Sequence, residues 1–195
     1  MTLILASTSK TRQTLLANAG LTVEAINSHV DETSIKVAMG HETPQAVCEA
    51  LASAKALAVS RRNPGAVVIG ADQVLAFRNR IFDKPRDMAE ARSHLETLRG
   101  HAHNLISAVA CASNHEIIWA FAGIATLHLR SFSEEFLQDY LASEGQGLLS
   151  SVGGYKLEGR GIQLFERIEG DYFTILGLPM LPLLSFLRAQ KAVPQ

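Results

Sequence analysis

The 195-residue chain contains only two cysteines, and neither lies in a spacing that makes cysteine functional. Cys48 and Cys111 belong to neither a Cys-x-x-Cys pair nor a mixed Cys/His pattern. The N-terminus also lacks the basic start and the apolar stretch of a secretory signal. We therefore expect no paired disulfides and a cytoplasmic protein.

An excess of charge of one sign and long apolar runs are also missing. The 18 Lys and Arg stand against 19 Asp and Glu, a formal net charge of −1, so no broad basic surface is available for a nucleic-acid polymer. No apolar run approaches the ~20 residues that cross a bilayer. The 47% hydrophobic content predicts a single folded domain over residues 1–195, with one core or two lobes. Its partner is expected to be a small anion held by a local cluster of charges.

Short apolar stretches alternate with helical patterns along the chain. Thr43-Pro44 is typical of a helix start. The strand Ala66–Gly70 is expected to end at Ala71-Asp72-Gln73, and Gly145–Gly161 to form a mobile or ligand-facing loop. The pattern predicts an α/β fold with a mixed sheet. The other elements are expected at Thr2–Ala6, Ser7–Asn18, Leu21–Ile26, a hairpin over Val74–Phe82, a helix capped by Asp87 and Glu90, Asn104–Ala112, Glu116–Arg130, Ser133–Leu141, Ile162–Ile168 and Pro179–Arg188.

The segment Ser7-Thr8-Ser9-Lys10-Thr11-Arg12 joins the first strand to the first helix. A helix N-terminus offers unpaired amides and about half a positive charge. Hydroxyls and two cationic side chains at that point would make a cradle for phosphate. The alternative is that Ser7 or Ser9 only caps the helix while the cations are solvated.

Further candidates for phosphate chemistry follow along the chain. Asp72, at the predicted strand end, could bind a divalent cation or orient a water, because open α/β sheets bind ligands there; a turn-forming aspartate is the alternative. Lys84, fixed before a proline, and Lys55, inside a helix, could contact phosphate or extend to solvent. Glu32 is a second acidic candidate or a surface residue.

Two histidines, His101 and His103, are spaced to share one face of a strand. No third ligand at a useful spacing accompanies them, so we assign no metal to them. Trp119, the single tryptophan, is expected in the core or at an interface.

Seven segments spread over nearly the whole chain keep the order of motifs of a known family. The opening LILASTSKTRQTLL resembles the Maf (septum-formation inhibitor) family, in which an apolar strand precedes Ser-x-Ser-x-x-Arg and two leucines. The family's Gly-Lys-Pro is Asp83-Lys84-Pro85 here, and its Leu-Ser-Gly is Leu98-Arg99-Gly100 followed by His103. The other matching segments are Val30-Asp31-Glu32, Ala50-x-x-x-Ala54-Lys55-Ala56, Gly70-Ala71-Asp72, and Glu169-Gly170 with Gly177-Leu178-Pro179.

The resemblance implies an enzyme that hydrolyses the α–β linkage of a nucleoside triphosphate with Mg²⁺ or Mn²⁺. The implied fold is an elongated mixed sheet with flanking helices and two lobes around a central cleft, often as a homodimer. Asp72 would accept a proton, and Glu32 with Asp72 would hold the metal. The implied phosphate contacts are Ser9, Arg12, Lys55 and Lys84, with Ser7 beside them.

Three positions separate the two main branches of that family. The branch acting on dTTP and UTP usually has Arg, Thr and Gln where this chain has Thr11, Gln73 and Glu158. Gln73 and Glu158 resemble the branch acting on 7-methyl-GTP, and a carboxylate at Glu158 can accept hydrogen bonds from guanine. Thr11 departs from that branch's aromatic residue, so base stacking would fall to Tyr155 or Phe165. We favour a purine or modified base, with dTTP or UTP as the alternative.

Two rival functions stay open at the level of sequence. One is a non-catalytic, nucleotide-binding regulator of cell division, although the near-neutral charge argues against binding a polymer. The other is a hydrolase of a different phosphoanhydride, such as that of a sugar nucleotide. Release of pyrophosphate from a triphosphate separates both from the favoured activity.

Overall fold

A computed structural model describes residues 2–193 and contains seven α-helices and seven β-strands in these residues, besides short 3₁₀ helices. In chain order the elements are β1 Leu3–Leu5, α1 Lys10–Asn18, β2 Glu24–Ala25, α2 Glu32–Ala38, α3 Pro44–Ser60, β3 Val67–Phe77, β4 Arg80–Phe82, α4 Met88–Leu98, β5 Ala102–Ser113, β6 Glu116–Leu129, α5 Glu134–Glu144, β7 Phe165–Glu169, α6 Tyr172–Ile175 and α7 Met180–Ala189. No helix in this range is long and apolar enough to cross a bilayer.

The seven strands form one mixed sheet in the order β2-β1-β3-β5-β6-β7, with β4 paired to β3. Strand β1 runs parallel to both β2 and β3. The β3–β4 and β6–β7 pairs are antiparallel. The predicted α/β fold with a mixed sheet is therefore confirmed.

The chain divides into two compact units. The first unit comprises the residues up to 73, 106–123 and those from 171 onward; the second unit comprises 74–105 and 124–170. In the first unit β1 and the residues of β3 up to Asp72 are buried, as expected for parallel strands covered on both faces. The main apolar cluster of this unit joins Leu5 and Ile69 of the sheet to Leu16, Leu183 and Leu187 of α1 and α7.

Close packing of α3 on β3 depends on Gly70. A Cβ at this position would lie 2.2 Å from the carbonyl oxygen of Ala52 and 2.5 Å from the amide nitrogen of Ala56. Any side chain would therefore push the helix away from the strand. The glycine lets α3 bring Lys55 to the strand residues that follow Gly70.

The predicted end of the third strand at Asp72 is wrong. Strand β3 continues to Phe77, because Val74 and Leu75 extend its buried apolar face. The polar pair Asp72 and Gln73 is accommodated inside the strand by partners from other elements. Asp72 is thus a buried strand residue, and only 6% of its surface is exposed.

The predicted loop over Gly145–Gly161 is also wrong for most of its length. Short 3₁₀ helices cover Gly145–Ser150 and Val152–Gly154, and another begins at Arg160. Apolar residues in this segment, Val152, Tyr155 and Leu157 among them, are buried. The glycines allow close packing: a Cβ on Gly154 would lie 3.3 Å from the carbonyl oxygen of Ala91.

Several local predictions are confirmed by backbone geometry. Arg78 and Asn79 have φ of 50° and 61°, the left-handed values of a tight hairpin turn between β3 and β4. The Asp87 side chain caps α4 by accepting from the amide of Glu90 at 2.8 Å. Helix α2 was not predicted, because none of its residues is buried and it shows no apolar period.

Candidate functional site

Helix α1 begins at Lys10, three residues later than predicted, and Ser9 is its N-cap. The Ser9 hydroxyl accepts from the amide of Arg12 at 3.4 Å. The Ser7 hydroxyl accepts from the amide of Ser9 at 3.2 Å and from Arg12 Nη1 at 3.3 Å. Both serines therefore help to build the helix start, and the Ser7 hydroxyl keeps its hydrogen for another acceptor.

Arg12 is buried rather than solvated, with 9% of its surface exposed. Its Nε donates to the Gly177 carbonyl and its Nη1 to the Ala71 carbonyl, both at 2.9 Å. Burial lowers the pKa of Arg12, and the nearby Asp72 opposes this shift; an arginine remains protonated under these conditions. Within residues 2–193, Nη2 has no hydrogen-bond partner. This nitrogen can bind an anion.

Lys55, Asp72 and Glu32 form one cluster in the first unit. The Lys55 Nζ lies 2.6 Å from Asp72 Oδ1 and 2.7 Å from Glu32 Oε1. The side chains of Lys55 and Asp72 are only 10% and 9% exposed, whereas that of Glu32, at the start of α2, is 46% exposed. Lys55 does not extend to solvent. A single ammonium therefore holds two carboxylates together.

The two carboxylates also fit a divalent cation. Mg²⁺ prefers oxygen ligands and usually takes one or two carboxylates, with waters and substrate phosphates completing its shell. Glu32 and Asp72 supply two carboxylates, and both lie within hydrogen-bond distance of the Lys55 ammonium. No group of three or more His, Cys, Asp or Glu suited to a metal occurs in the part of the chain that the structure describes. The donor set thus suits a metal that arrives with a polyphosphate.

Gln73, next to Asp72, points its amide into the protein. Its Nε2 donates to the carbonyls of Thr174 and Ile175, at 3.2 and 2.9 Å, and to the Ser107 hydroxyl at 3.0 Å. An amide has two hydrogens for these three acceptors. Gln73 therefore has no donor left for a bound base.

The remaining predicted site residues, Thr11, Lys84 and Glu158, are all exposed. Thr11 is exposed on α1. Lys84 and Glu158 belong to the second unit and are both exposed, Lys84 before the buried Pro85 and Glu158 in a turn. The first unit brings together six of the predicted residues: Ser7, Ser9, Arg12, Glu32, Lys55 and Asp72.

A profile described as "Maf-like protein" matches residues 2–190. The chain belongs to this family. It is 50% identical to a protein of Granulibacter bethesdensis named nucleoside triphosphate pyrophosphatase, over 99% of each chain. It is 49% identical to a 7-methyl-GTP pyrophosphatase of Rhizobium meliloti, over 98% of this chain and 97% of that one.

Several residues around the site of this Maf-like protein have no recognisable role in the sequence alone. Gly177 was quoted only as part of a motif, yet its carbonyl binds Arg12. Ser107 and Thr174 are buried polar residues of the first unit that contact Gln73. Their signal in the sequence is weak, because a single serine or threonine in an apolar segment is common in any core.

The histidines of the Leu98-Arg99-Gly100…His103 motif do not share a strand face. His101 precedes β5 and is exposed, and its Nδ1 lies 2.9 Å from the Arg99 carbonyl. His103 is buried, with Nε2 2.5 Å from the Tyr155 hydroxyl. Tyr155 itself is 2% exposed and packs edge-on against Phe165, with ring centroids 5.0 Å apart. Tyr155 is therefore not available to stack on a base.

The buried His103 predicts acid sensitivity of the second unit. Burial lowers the pKa of His103 to about 3, from an ordinary value of 6.5. Between pH 6.5 and 3, His103 is protonated in the unfolded chain and neutral in the folded chain. The free energy of unfolding should therefore fall as the pH drops through this range, by roughly 2–4 kcal/mol. Urea unfolding at several pH values checks this, with His103→Gln as a variant that lacks the titration. A His103 resonance that titrates near pH 6.5 in the folded protein would contradict it.

Proposed function

We propose that this Maf-like protein hydrolyses the α–β phosphoanhydride of a nucleoside triphosphate, releasing a nucleoside monophosphate and pyrophosphate. The observation that carries the proposal is the pairing of one buried ammonium, Lys55, with the carboxylates of Asp72 and Glu32. The names of relatives that are about half identical to the chain over its whole length support it.

The first unit supplies groups that grip a polyphosphate. Arg12 Nη2, the Ser7 hydroxyl and the amides at the start of α1 are donors for phosphate oxygens. Such donors act most strongly when they are preorganised in a site that excludes water, and Arg12 is held by two carbonyls before any substrate arrives. These donors would therefore stabilise the negative charge that develops on the phosphoryl oxygens in the transition state.

Asp72 would accept the proton of the attacking water. Its Oδ1 is bound by Lys55, which keeps the carboxylate oriented. Glu32 and Asp72 would hold Mg²⁺ or Mn²⁺, which supplies charge neutralisation and orientation of the phosphates when it is bound. Lys55, positioned between the same two carboxylates, would contact the phosphates as well.

Lys84 is proposed as a further phosphate contact, on the family motif alone. Lys84→Ala is expected to raise KM and lower kcat together, about tenfold in kcat/KM, because a point charge on phosphate acts in both the ground and the transition state. Steady-state kinetics with the preferred nucleotide checks this. An effect confined to thermal stability would instead make Lys84 a structural residue.

Glu158 is proposed to select the base. Its carboxylate can accept hydrogen bonds from the amino and ring N–H groups of guanine, and relatives of this chain include proteins named 7-methyl-GTP pyrophosphatase. We favour a purine or 7-methylated purine. A preference for dTTP or UTP is the alternative, because Thr11 lacks the aromatic ring that the branch acting on 7-methyl-GTP has at this position.

Glu158→Gln tests the role in base selection. The variant should lower kcat/KM for 7-methyl-GTP and GTP about tenfold relative to dTTP, since it loses a charged acceptor but keeps the size of the side chain. Glu135→Gln, an exposed acid in the first turn of α5 in the same unit, is the matched control. Equal losses for all bases would count against this role.

A nucleotide panel tests the activity itself. The wild-type protein with Mg²⁺ should release pyrophosphate from at least one triphosphate, and a chelator should stop the release. A nucleotide-binding regulator of cell division would bind without release, and a hydrolase of sugar nucleotides would leave the triphosphates intact. A homodimer is a further expectation from the family resemblance, and a cytoplasmic location is one from the cysteine content and the N-terminal sequence.

A further inference from the structure

Glu158, the residue proposed to select the base, lies in a tight turn of the second unit. The Gly159 amide donates to the Lys156 carbonyl at 3.4 Å, and the Ile162 amide donates to the Gly159 carbonyl at 3.2 Å. Within residues 2–193 the exposed Glu158 carboxylate forms no hydrogen bond or ion pair. Its position therefore depends on where the backbone of the turn is held.

The far side of this turn is held by close packing and by a surface ion pair. A Cβ on Gly161 would lie 2.2 Å from the carbonyl oxygen of Lys156, so the two ends of the turn touch. Arg160 donates to the Ser143 hydroxyl of α5 at 2.7 Å and pairs with Asp139. Because the Arg160 side chain is 32% exposed, water screens this pair and makes it a weak anchor.

Tyr155 is the buried residue that leads into the turn, and it is 2% exposed. Its ring packs edge-on against Phe165, with ring centroids 5.0 Å apart. Gly153 leaves room for the ring, since a Cβ there would lie 2.9 Å from Tyr155 Cε1. The hydroxyl has one hydrogen-bond partner among the described residues, His103 Nε2 at 2.5 Å. This hydrogen bond ties the entry of the turn to β5.

The hydrogen bond between His103 and Tyr155 joins two uncharged groups. Burial lowers the pKa of His103 to about 3 and raises the pKa of Tyr155, so neither group ionises near neutral pH. His103 is 3% exposed, and its Nδ1 has no partner in the part of the chain that the structure describes. Each side chain thus makes a single hydrogen bond, and loss of one partner would leave the other buried and unsatisfied.

We propose that His103 and Tyr155 are positioning residues for Glu158. The hydrogen bond between them fixes the residue that enters the turn, and the turn presents the Glu158 carboxylate to the base. Both side chains are buried and act without contacting the substrate. The pair therefore affects discrimination between bases and leaves polyphosphate binding to the first unit. This inference rests on the proposed role of Glu158 in base selection.

Tyr155→Phe removes the hydroxyl and keeps the ring against Phe165. Steady-state kinetics gives the ratio of kcat/KM for 7-methyl-GTP or GTP to that for dTTP. We expect this ratio to fall about three- to tenfold, at most as far as in Glu158→Gln, because a misplaced acceptor forms poorer hydrogen bonds with the base. A ratio within about twofold of the wild-type value overturns the proposal.

Calorimetry separates positioning of Glu158 from a general loss of structure. Affinity for inorganic tripolyphosphate, which has no base, should stay within about twofold of wild type in Tyr155→Phe. A loss as large as the loss for GTP overturns the proposal. Tyr172→Phe, which removes the hydroxyl of a tyrosine that is 50% exposed in α6, is the matched control and should change neither quantity.

Two variants of His103 test the partner of Tyr155. His103→Leu should lower the ratio as Tyr155→Phe does, because it cannot bind the hydroxyl. His103→Gln has an amide that can still reach the hydroxyl, so it should retain a ratio within about twofold of wild type. Equal losses in the two variants overturn the proposal. If Tyr155→Phe does not fold, these variants carry the same comparisons.

A double-mutant cycle tests whether the pair acts through Glu158. Adding Tyr155→Phe to Glu158→Gln should lower the ratio by no more than about twofold beyond Glu158→Gln alone. Independent, multiplying losses overturn the proposal.

Failure of the proposed function can be told apart from failure of this inference. A wild-type protein that releases no pyrophosphate from any nucleotide refutes the activity. The affinities for GMP and dTMP, which contain no anhydride to hydrolyse, would still show whether Tyr155→Phe changes discrimination between bases. If Glu158→Gln shifts the ratio and Tyr155→Phe does not, this inference alone fails. If Glu158→Gln leaves the ratio unchanged, the role of Glu158 fails as well.

Discussion

Asp72→Asn is expected to lower kcat about 10²- to 10⁴-fold while the protein stays folded, because the amide cannot accept a proton from water. The folded state should survive for a reason that only the structure supplies. Asp72 is buried within β3, but asparagine has the same shape, and its oxygen can still accept from Lys55. The Glu32 carboxylate also still forms an ion pair with the Lys55 ammonium.

Steady-state kinetics and thermal unfolding of the same preparations check this result. Glu24→Gln, an exposed acid in β2 of the same unit, is the control and should change neither quantity. Asp72→Leu should be less stable than Asp72→Asn, since it removes an acceptor from a buried cation. Retention of wild-type kcat in Asp72→Asn would refute its role as proton acceptor.

Lys55→Met is expected to have the second large effect, on both kcat/KM and the melting temperature. It leaves the carboxylates of Asp72 and Glu32 without the ammonium that now lies between them. We expect kcat/KM to fall about 10²-fold, the usual cost of a preorganised charge at a phosphoryl site. We also expect the melting temperature to fall without metal, because the buried Asp72 carboxylate loses its partner while Glu32, at 46% exposed, stays solvated.

The second measurement is the response of Lys55→Met to Mg²⁺ and Mn²⁺. A divalent cation can take the place of the lost ammonium, so the metal should raise the melting temperature of the variant more than that of wild type. Lys191→Met, which changes a lysine exposed after α7, provides the control. The absence of a shift in both wild type and variant would show that the two carboxylates are not a metal site.

The sequence predicted most of the fold because its turns and caps are local. The hairpin at Arg78-Asn79 and the cap at Asp87 depend on a few neighbouring residues, and both are confirmed. The end of β3 was misplaced for the opposite reason. Asp72 and Gln73 look like the end of a strand, and only partners distant in sequence, Lys55 and Ile175, make them suitable for its interior.

The same difference between local features and contacts distant in sequence applies to the site. The motifs pointed to Arg12, Lys55 and Asp72 as charged groups, but burial decides what those groups do. No local rule indicates that Gly70 lets α3 approach β3 and thereby brings Lys55 to Asp72. Nor does one indicate that the Gly177 carbonyl holds Arg12 across 165 positions of sequence.

The most direct test is to follow the phosphorus products by NMR. Wild-type protein, Mg²⁺ and 7-methyl-GTP or GTP should give monophosphate and pyrophosphate in equal amounts, and Asp72→Asn should give neither. Formation of a nucleoside diphosphate and inorganic phosphate would contradict cleavage of the α–β linkage. So would a rate for Asp72→Asn equal to that of wild type.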